Sequence, residues 1–468
     1  MLQRRKTIEV HVGQTPLGGD NPIRLQSMTN TSTMDTDGSV EQIRRIVAAG
    51  ADYVRLTTQG LREAENLRNI RQALRASGCD IPLVADVHFN AYVADECAKI
   101  VEKVRINPGN YVDPARKFRH IDYTSEQYAE ELAKIEERFL PLLQICREHH
   151  TALRIGVNHG SLSDRIMSRY GDTAEGMVES CMEFLRICQR EQFNDVVLSI
   201  KASNTVVMVQ TVRMLVRQMD KEGMAYPLHL GVTEAGEGED GRIKSAVGIG
   251  ALLCEGIGDT IRVSLSEAPE REVPVARKMV EFIEPCAALR ELARTSISDD
   301  RITITIDDEP DWESFQLKAA MAVGALLIDR MAHKLVIRSC HFPPEQLEGL
   351  ADSILQAARV KFTKPEFISC PGCGRTLYDL EETIARIKSA VMQRAASNPR
   401  YQTLKIGIMG CIVNGPGEMA DADYGYVGAA AGKVSLYKQK QCIEKNIPQA
   451  EAVERLLQFI DDDLASNN

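Results

Sequence analysis

The sequence predicts a mixed α/β protein with an N-terminal (β/α)8 barrel of the TIM type, a short degenerate α/β insert and a C-terminal α+β domain. Three observations support this prediction. Eight short apolar segments alternate with amphipathic segments over the first 268 residues, the end of this pattern recurs in altered form 74 residues later, and the last hundred residues or so follow a different pattern. We place the domains at residues 1–285, 286–361 and 362–468.

The barrel prediction depends on the number of strands. Eight β/α units match a closed parallel barrel, in which the functional residues lie at the carboxyl ends of the strands. Amphipathic segments, including a long predicted helix at 124–149, separate the strands. The predicted strands are Pro22–Met28, Tyr53–Thr58, Pro82–Phe89, Lys103–Asn107, Ala152–Val157, Val196–Ala202, Leu228–Thr233 and Thr260–Leu265.

A basic residue between apolar neighbours recurs in five of these strands. Because successive strand residues face opposite ways, the apolar neighbours should face the helices and the basic side chains should converge on the barrel axis. Guanidinium groups bind phosphate bidentately, so this cluster predicts a multiply charged phosphate ligand. Internal salt bridges to Asp86 and Glu234 are the structural alternative. The five residues are Arg55, Arg105, Arg154, Lys201 and Arg262.

The C-terminal segment contains a group of three cysteines. Cys370 and Cys373 are separated by Pro371 and Gly372, a tight turn that brings two thiols to one metal centre, and Cys411 is the third candidate ligand. No fourth cysteine or histidine follows at a suitable spacing, and the nearest carboxylate is Glu418. Three thiolates and one weak ligand suggest an iron–sulfur cluster with a labile iron, whereas structural zinc and unrelated thiols are the alternatives.

The insert is predicted from an internal repeat. Gly250–Leu253 recurs as Gly324–Leu327, and Ile261–Val263 aligns with Leu335–Ile337. The second copy lacks Gly256, Gly258 and Arg262 of the first, which align with Arg330, Ala332 and Val336. We therefore interpret 286–361 as a truncated β/α unit that packs as an incomplete layer.

Composition narrows the class of protein. The chain has 468 residues, 44% of them hydrophobic, and a net charge of −10, which argues against a general nucleic-acid binder. Neither a signal peptide nor a membrane span is expected, because the N-terminus leads into no long apolar run. Nine of the twelve cysteines are scattered, so we expect a cytoplasmic protein with reduced thiols.

Five motifs resemble the family of 4-hydroxy-3-methylbut-2-enyl diphosphate synthases of the methylerythritol phosphate pathway. They occur in the expected order and lie in the barrel and in the cysteine segment, and the resemblance covers residues 8–284 and 364–460. It points to the branch of the family that carries an insertion, here with a truncated insert. The motifs are Gln26–Asn30, His229–Gly236, Asp259–Leu265, Ser369–Arg375 and Gly410–Asp421.

The resemblance implies a [4Fe–4S] cluster held by Cys370, Cys373, Cys411 and Glu418, facing a barrel that binds 2-C-methyl-D-erythritol 2,4-cyclodiphosphate. Asn414 would lie beside the cluster. By position, the phosphate-binding residues of the family fall on Arg55, Arg105, Arg154, Asn158 and Lys201.

The implied reaction is a two-electron reduction that opens the cyclic diphosphate and releases water. Glu418 can leave the labile iron, and Glu234 is a candidate acid or substrate hydrogen-bond partner, or else a structural partner of Arg262. His88 and His229 are candidate proton donors or structural histidines. No dinucleotide fingerprint follows an early strand, so flavodoxin or ferredoxin is the expected electron donor.

Two further expectations concern assembly and a rival function. The open edges of a truncated insert favour a homodimer, with the cluster domain capping the partner's barrel in trans rather than its own barrel in cis. The rival function is that of a catalytically disabled protein that binds a phosphate ligand and carries a structural zinc site.

Overall fold

The computed structural model describes residues 2–113, 120–412, 417 and 421–466. The first eight strands form one parallel sheet in the order β6-β5-β4-β3-β2-β1-β8-β7. A bridge between Leu198 and Leu228 joins β6 to the residue before β7, which closes the barrel. The fold class is confirmed. The strands are β1 (Arg24–Met28), β2 (Tyr53–Thr58), β3 (Leu83–Val87), β4 (Lys103–Ile106), β5 (Ala152–Asn158), β6 (Val196–Lys201), β7 (His229–Leu230) and β8 (Thr260–Ile261).

Helices surround the barrel because the outward-facing residues of the strands are apolar and need cover. The predicted long helix is α5, and Thr124 and Gln127 cap its start with reciprocal hydrogen bonds. The helices of the barrel are α1 (Thr36–Ala48), α2 (Leu61–Ala76), α3 (Ala91–Ala98), the single turn α4 (Pro108–Tyr111), α5 (Ser125–His149), α6 (Asp164–Tyr170), α7 (Ala174–Arg190), α8 (Thr205–Lys221), α9 (Gly238–Leu253) and α10 (Glu272–Glu281).

A plug of apolar side chains closes the amino-terminal end of the barrel. The segment before β1 folds back on itself through a bridge between Val10 and Leu17. Both side chains, together with Val12, are fully buried against residues at the starts of the strands, including Tyr53 and Val197. The carboxyl ends of the strands therefore form the open end of the barrel.

The insert is an incomplete α/β layer, as predicted. Its two parallel strands, β9 (Arg301–Thr305) and β10 (Lys334–Arg338), form a separate two-stranded sheet. The internal repeat predicted β10, because Leu335–Ile337 aligns with part of the last predicted barrel strand. The helices are α11 (Ile283–Thr295), α12 (Trp312–Ile328) and α13 (Pro344–Ala357).

The glycines shared by the two copies of the repeat lie where α12 packs on α9. A Cβ atom on Gly324 would lie 2.8 Å from the carbonyl oxygen of Val247, and one on Gly250 would lie 2.5 Å from Cγ of Met321. Each distance is shorter than a normal van der Waals contact, so the two helices approach closely because neither copy has a side chain at this position.

The C-terminal domain contains a five-stranded sheet in which the first three strands are parallel and the last two antiparallel. The elements are β11 (Glu366–Ser369), α14 (Leu380–Ser397), β12 (Lys405–Met409), β13 (Tyr424–Ala430), β14 (Lys433–Lys438), β15 (Gln441–Pro448) and α15 (Gln449–Ser466).

Within the described part of the chain, no helix is both long and apolar enough to cross a membrane.

The close approach of α9 and α12 gives a testable prediction. Gly324→Ala should lower the free energy of unfolding by about 1–3 kcal/mol, because the helices must separate to admit one methyl group. Gly349→Ala is the matched control, since that glycine lies in α13 with no atom within 4 Å of its Cβ position. The control should stabilise the protein by about 0.5–1 kcal/mol through helix propensity. Thermal unfolding measures both, and equal effects would contradict the packing described here.

Candidate active site

A deep cavity at the open end of the barrel brings most of the predicted site residues together. Strand alternation turns the basic side chains of β2, β4, β5 and β6 inward, as the sequence predicted, and residues that follow β7 and β8 complete the wall. The C-terminal domain covers the cavity. The predicted site residues that line the cavity are Arg55, Arg105, Arg154, Asn158, Lys201, Glu234, Arg262, Cys370, Cys373 and Cys411.

Arg105 is held in place by neighbours on two strands, β3 and β5. Its Nη1 atom donates to Asp86 Oδ1 at 2.9 Å, and its Nη2 atom donates to the carbonyl oxygen of Gly156 at 2.8 Å and to Asn158 Oδ1 at 3.4 Å. Asp86 also lies 3.9 Å from Nε of Arg55. The arginines hold the pKa of this buried carboxyl group well below its usual range, so Asp86 is an anion shared among several cations.

Arg154 and Lys201 carry the uncompensated charge of the cavity. Arg154 is 1% exposed, and its Nε and Nη1 atoms have no hydrogen-bond partner among the described residues. Lys201 forms no ion pair with any part of the chain that the structure describes. Burial and the neighbouring arginines lower the pKa of both groups. The surroundings of Arg154 and of Lys201 would therefore favour a bound anion.

Arg262 differs from the other cations because its charge is already neutralised. Its Nε and Nη2 atoms donate to Glu272 at 3.0 and 2.9 Å in a bidentate pair. The sequence suggested Glu234 as a structural partner of Arg262, but the structure shows Glu272 in that role. Glu234 lies in the cavity wall, 4% exposed, with a left-handed backbone at φ 47°.

The two candidate histidines have different surroundings. His88 lies between Arg105 and Asn110, with its Nε2 and Nδ1 atoms 2.5 and 3.3 Å from the nearest nitrogen atom of each. Burial and Arg105 lower the pKa of His88 to about 3, so the imidazole is neutral at physiological pH. His229 is 1% exposed, and its Nδ1 atom lies 3.4 Å from Thr260 Oγ1. Burial also lowers its pKa.

The three cysteines lie where β11 and β12 end above the cavity. Cys370 directly follows β11, and its amide donates to the carbonyl oxygen of Ile408 in β12. The amide of Gly410 donates to Cys370 Sγ at 3.2 Å, and the hydroxyl group of Thr376 accepts a hydrogen bond from the Cys373 amide at 3.0 Å. Backbone N–H groups of this kind stabilise thiolate ligands, so the surroundings suit a metal cluster.

Two predicted residues, Asn414 and Glu418, lie outside the described residues. Gly417, next to Glu418 in the chain, packs so closely on Gly160 after β5 that an added Cβ would lie 1.7 Å from the Gly160 oxygen.

Among the described residues, no three histidine, cysteine or carboxylate side chains are grouped closely enough to hold a single ion. Thiolates bound to one zinc ion would lie about 3.8 Å apart.

Sequence reasoning missed Arg375. Its side chain is 8% exposed and lines the cavity from the C-terminal domain, with Nη2 3.7 Å from Asp86 Oδ2. The residue was part of a quoted motif but was assigned no role. Its position two residues after Cys373 was the available indication that it would lie near the barrel mouth.

The expectation of capping in trans is wrong for this chain, because its own cysteines line the cavity of its own barrel. Direct contacts hold the C-terminal domain in this position. Ser266 and Ser369 lie 2.8 Å apart at their hydroxyl oxygens, and Lys244 pairs with Glu366 at 2.9 Å. Arg359, near the end of the insert, pairs with Glu366 and lies 3.7 Å from Asp421. The insert thus contributes to docking of the cap in cis.

Comparison with known families gives two matches. Residues 7–277 match the family model described as the GcpE TIM-barrel domain, and residues 366–462 match the GcpE protein C-terminal domain. The intervening segment is matched by neither. A solved dihydropteroate synthase from Burkholderia cenocepacia aligns with 63% of this chain and 100% of its own, at 14% identity and a TM-score of 0.39, which is too low to bear on function.

Curated relatives align along nearly the whole chain. Proteins from Phocaeicola vulgatus and Bacteroides thetaiotaomicron are each 49% identical to it, over 98% of this chain and 97% and 98% of their own. A Leptospira interrogans protein is 37% identical, over 98% of this chain and 97% of its own. All three are named 4-hydroxy-3-methylbut-2-en-1-yl diphosphate synthase (flavodoxin).

The first of these alignments runs over 606 positions, so at least 138 of them have no counterpart in the 468 residues of this chain. Both domain matches and the identity along the chain lead to one conclusion: the chain belongs to the GcpE family of 4-hydroxy-3-methylbut-2-en-1-yl diphosphate synthases.

Proposed function

We propose that this chain reduces 2-C-methyl-D-erythritol 2,4-cyclodiphosphate to (E)-4-hydroxy-3-methylbut-2-enyl diphosphate in isoprenoid biosynthesis. The reaction adds two electrons, breaks the ring C–O bond to phosphate and releases the C3 hydroxyl as water. One observation carries the proposal. Three thiols of the C-terminal domain and the uncompensated cations of the barrel line the same cavity, so a redox group and a diphosphate can meet there.

The cations would bind the diphosphate. Arg154 presents two buried donors that have no partner among the described residues, and Lys201 and Arg55 line the same wall. A diphosphate would satisfy these donors with charge-assisted hydrogen bonds and neutralise the excess charge. The same groups stabilise the negative charge that develops on the leaving phosphate when the ring opens. Arg262, already paired with Glu272, would shape the wall rather than bind the ligand.

The thiols would hold the cofactor. Cys370, Cys373 and Cys411 supply three ligands for a [4Fe–4S] cluster, and we assign the fourth, exchangeable position to Glu418, with Asn414 beside it. A bound cluster would supply one-electron transfer and Lewis acidity. The hydrogen bond from the Gly410 amide to Cys370 Sγ favours the thiolate form required of a ligand.

The departing hydroxyl needs a proton or a hydrogen-bond donor. Glu234 lies in the cavity wall at the end of β7 and is our candidate for that role. His88 is unsuited to it, because its pKa of about 3 keeps the ring neutral and Arg105 and Asn110 occupy both nitrogen atoms. The two histidine candidates from the sequence therefore take structural roles in this proposal.

The remaining parts of the proposal concern partners and location. A flavodoxin would deliver electrons singly, in accord with the names of the relatives.

Thiolate ligands require a reducing compartment, so we place the protein in the cytoplasm. Each strand of the two-stranded insert sheet has an outer edge with no described strand beside it, and we retain the homodimer as a prediction.

The cofactor is tested by anaerobic purification. The wild-type protein should be brown and contain about four irons, and Ser in place of Cys370, Cys373 or Cys411 should remove the iron and the activity, because a hydroxyl group is a poor iron ligand. Cys442→Ser is the control, since Cys442 lies in β15 away from the cavity. A colourless wild-type protein with one zinc would favour the rival binding function.

A second variant tests the labile ligand. Glu418→Ala should retain most of the iron yet lose nearly all turnover, because the three thiolates remain but the exchangeable position changes. Iron content and turnover are measured on the same preparation. Turnover at the wild-type rate would show that Glu418 is not that ligand.

Arg154 and Arg262 should respond in opposite ways to replacement by methionine. Arg154→Met removes an unpaired buried cation, so the protein should melt at or above the wild-type temperature but lose about 1.5–3 kcal/mol in kcat/KM. Arg262→Met leaves Glu272 buried without its partner and should cost about 3–5 kcal/mol of stability. Thermal unfolding with and without substrate separates the two. If substrate still stabilises Arg154→Met fully, Arg154 does not contact the ligand.

Capping in cis predicts the result of mixing two inactive chains. A chain with Cys411→Ser and a chain with Arg154→Ala should remain inactive together, because each site is built from the two domains of one chain and one of those two domains is defective in either variant. Subunit exchange is verified with differently tagged chains. Recovery of about a quarter to a half of the activity would instead indicate capping in trans.

A further inference from the structure

Met28 is a buried methionine in the cavity wall, and its sulfur atom faces two arginines. It is 3% exposed and lies opposite Arg55 in the register of β1 and β2, so the two side chains enter the barrel side by side. The Nε and Nη2 atoms of Arg55 donate to Sδ of Met28 at 3.0 and 2.8 Å. The Nη1 atom of Arg262 lies 3.5 Å from the same sulfur. The sulfur is therefore the acceptor for one whole edge of the Arg55 guanidinium group.

The charge of Arg55 is not neutralised by this contact. Its side chain donates no hydrogen bond to an oxygen atom of the described residues, and Asp86 lies 3.9 Å from its Nε atom, beyond hydrogen-bond distance. Burial lowers the pKa of Arg55 to about 10, so the guanidinium group remains protonated at neutral pH. A thioether is a weak acceptor that carries no charge. Met28 can therefore fix the orientation of Arg55 and leave its positive charge available.

Arg262 offers a comparison within the same cavity. Its Nε and Nη2 atoms, the two atoms that Arg55 directs at sulfur, donate instead to the carboxylate of Glu272 at 3.0 and 2.9 Å. A bidentate carboxylate holds the guanidinium group firmly and cancels its charge. The two arginines thus present the same edge to different acceptors, one ionic and one neutral. The nature of the acceptor determines whether each arginine is free to attract an anion.

We propose that Met28 is a positioning residue for Arg55: its thioether holds one edge of the guanidinium group, so that the opposite edge and the full charge are presented to a phosphate group of the substrate. The inference rests on the proposed function and names the residue that keeps one of its cations available. It also gives a role to a member of the Gln26–Asn30 motif. A polarisable, unbranched thioether suits this contact, because it packs against a cation without pairing with it.

The test compares acceptors at position 28 in the anaerobically purified protein, with inorganic pyrophosphate and the cyclodiphosphate as probes in calorimetry. Met28→Leu keeps the volume but removes the acceptor, so it should bind both probes about 3- to 10-fold more weakly. Met28→Gln supplies a neutral oxygen acceptor and should bind within about twofold of the wild type. Met28→Glu supplies a carboxylate that neutralises Arg55, so binding should weaken by more than about 10-fold.

Met219→Leu is the matched control. Met219 is a fully buried methionine of α8 that does not line the cavity, and its sulfur accepts no hydrogen bond from the described residues. The same exchange of methionine for leucine should leave the affinity for both probes unchanged there.

The order of the variants separates positioning from packing. A residue that only fills space would tolerate leucine better than glutamine, because a buried amide needs partners of its own. Positioning of Arg55 predicts the reverse order. A double-mutant cycle supplies a second readout: in an Arg55→Met background, Met28→Leu should cause no further loss of affinity, because the group that it positions is absent.

Wild-type affinity in Met28→Leu overturns the inference, and so does an equal loss from that exchange with and without Arg55. If Met28→Gln does not fold, the double-mutant cycle decides alone. A wild-type protein that binds pyrophosphate but not the cyclodiphosphate contradicts the proposed function, and the Met28 variants are then judged with pyrophosphate. Failure of the wild-type protein to bind either probe contradicts both.

Discussion

The site depends on an excess of buried positive charge. Strand alternation directs Arg55, Arg105, Arg154 and Lys201 to one cavity, where Asp86 is the carboxylate that the arginines share. Deeper in the barrel, Lys103 is fully buried with its Nζ atom 4.0 Å from the centre of the Tyr53 ring. Burying this many cationic side chains is unfavourable unless anions offset their charge. The rigid barrel fixes the positions of these groups, so that a bound anion would meet partners already in place.

Much of this arrangement could be predicted because it follows from local patterns. The alternation of faces in a strand places Arg105 and Arg154 inside the barrel whatever the rest of the fold does. The two-residue spacing of Cys370 and Cys373 likewise brings two thiols to one place. The glycine repeated at positions 250 and 324 also indicated a close helix contact, since both copies lie where the helices that carry them touch.

Contacts between distant segments could not be predicted in the same way. Glu272 neutralises Arg262 from α10, the helix after β8, and no pattern in the strands indicates that pairing. The approach of Arg375 to Asp86 joins residues 289 positions apart through the docking of two domains. Docking in cis also depends on the salt bridge between Arg359 and Glu366 at the end of the insert. Whether a C-terminal domain covers its own barrel or a partner's barrel therefore depends on complementary surfaces, which the periodicity of the sequence does not indicate.

The apolar plug at the amino-terminal end of the barrel has a kinetic consequence. Val10, Val12 and Leu17 fill that end without exposed surface, so small molecules enter and leave at the end that the C-terminal domain covers. In the proposed reaction the product carries the same diphosphate as the substrate and would meet the same cations. Its release would then require the C-terminal domain to move away from the barrel mouth, and the rate of that movement would set an upper limit on kcat however fast the chemical steps are.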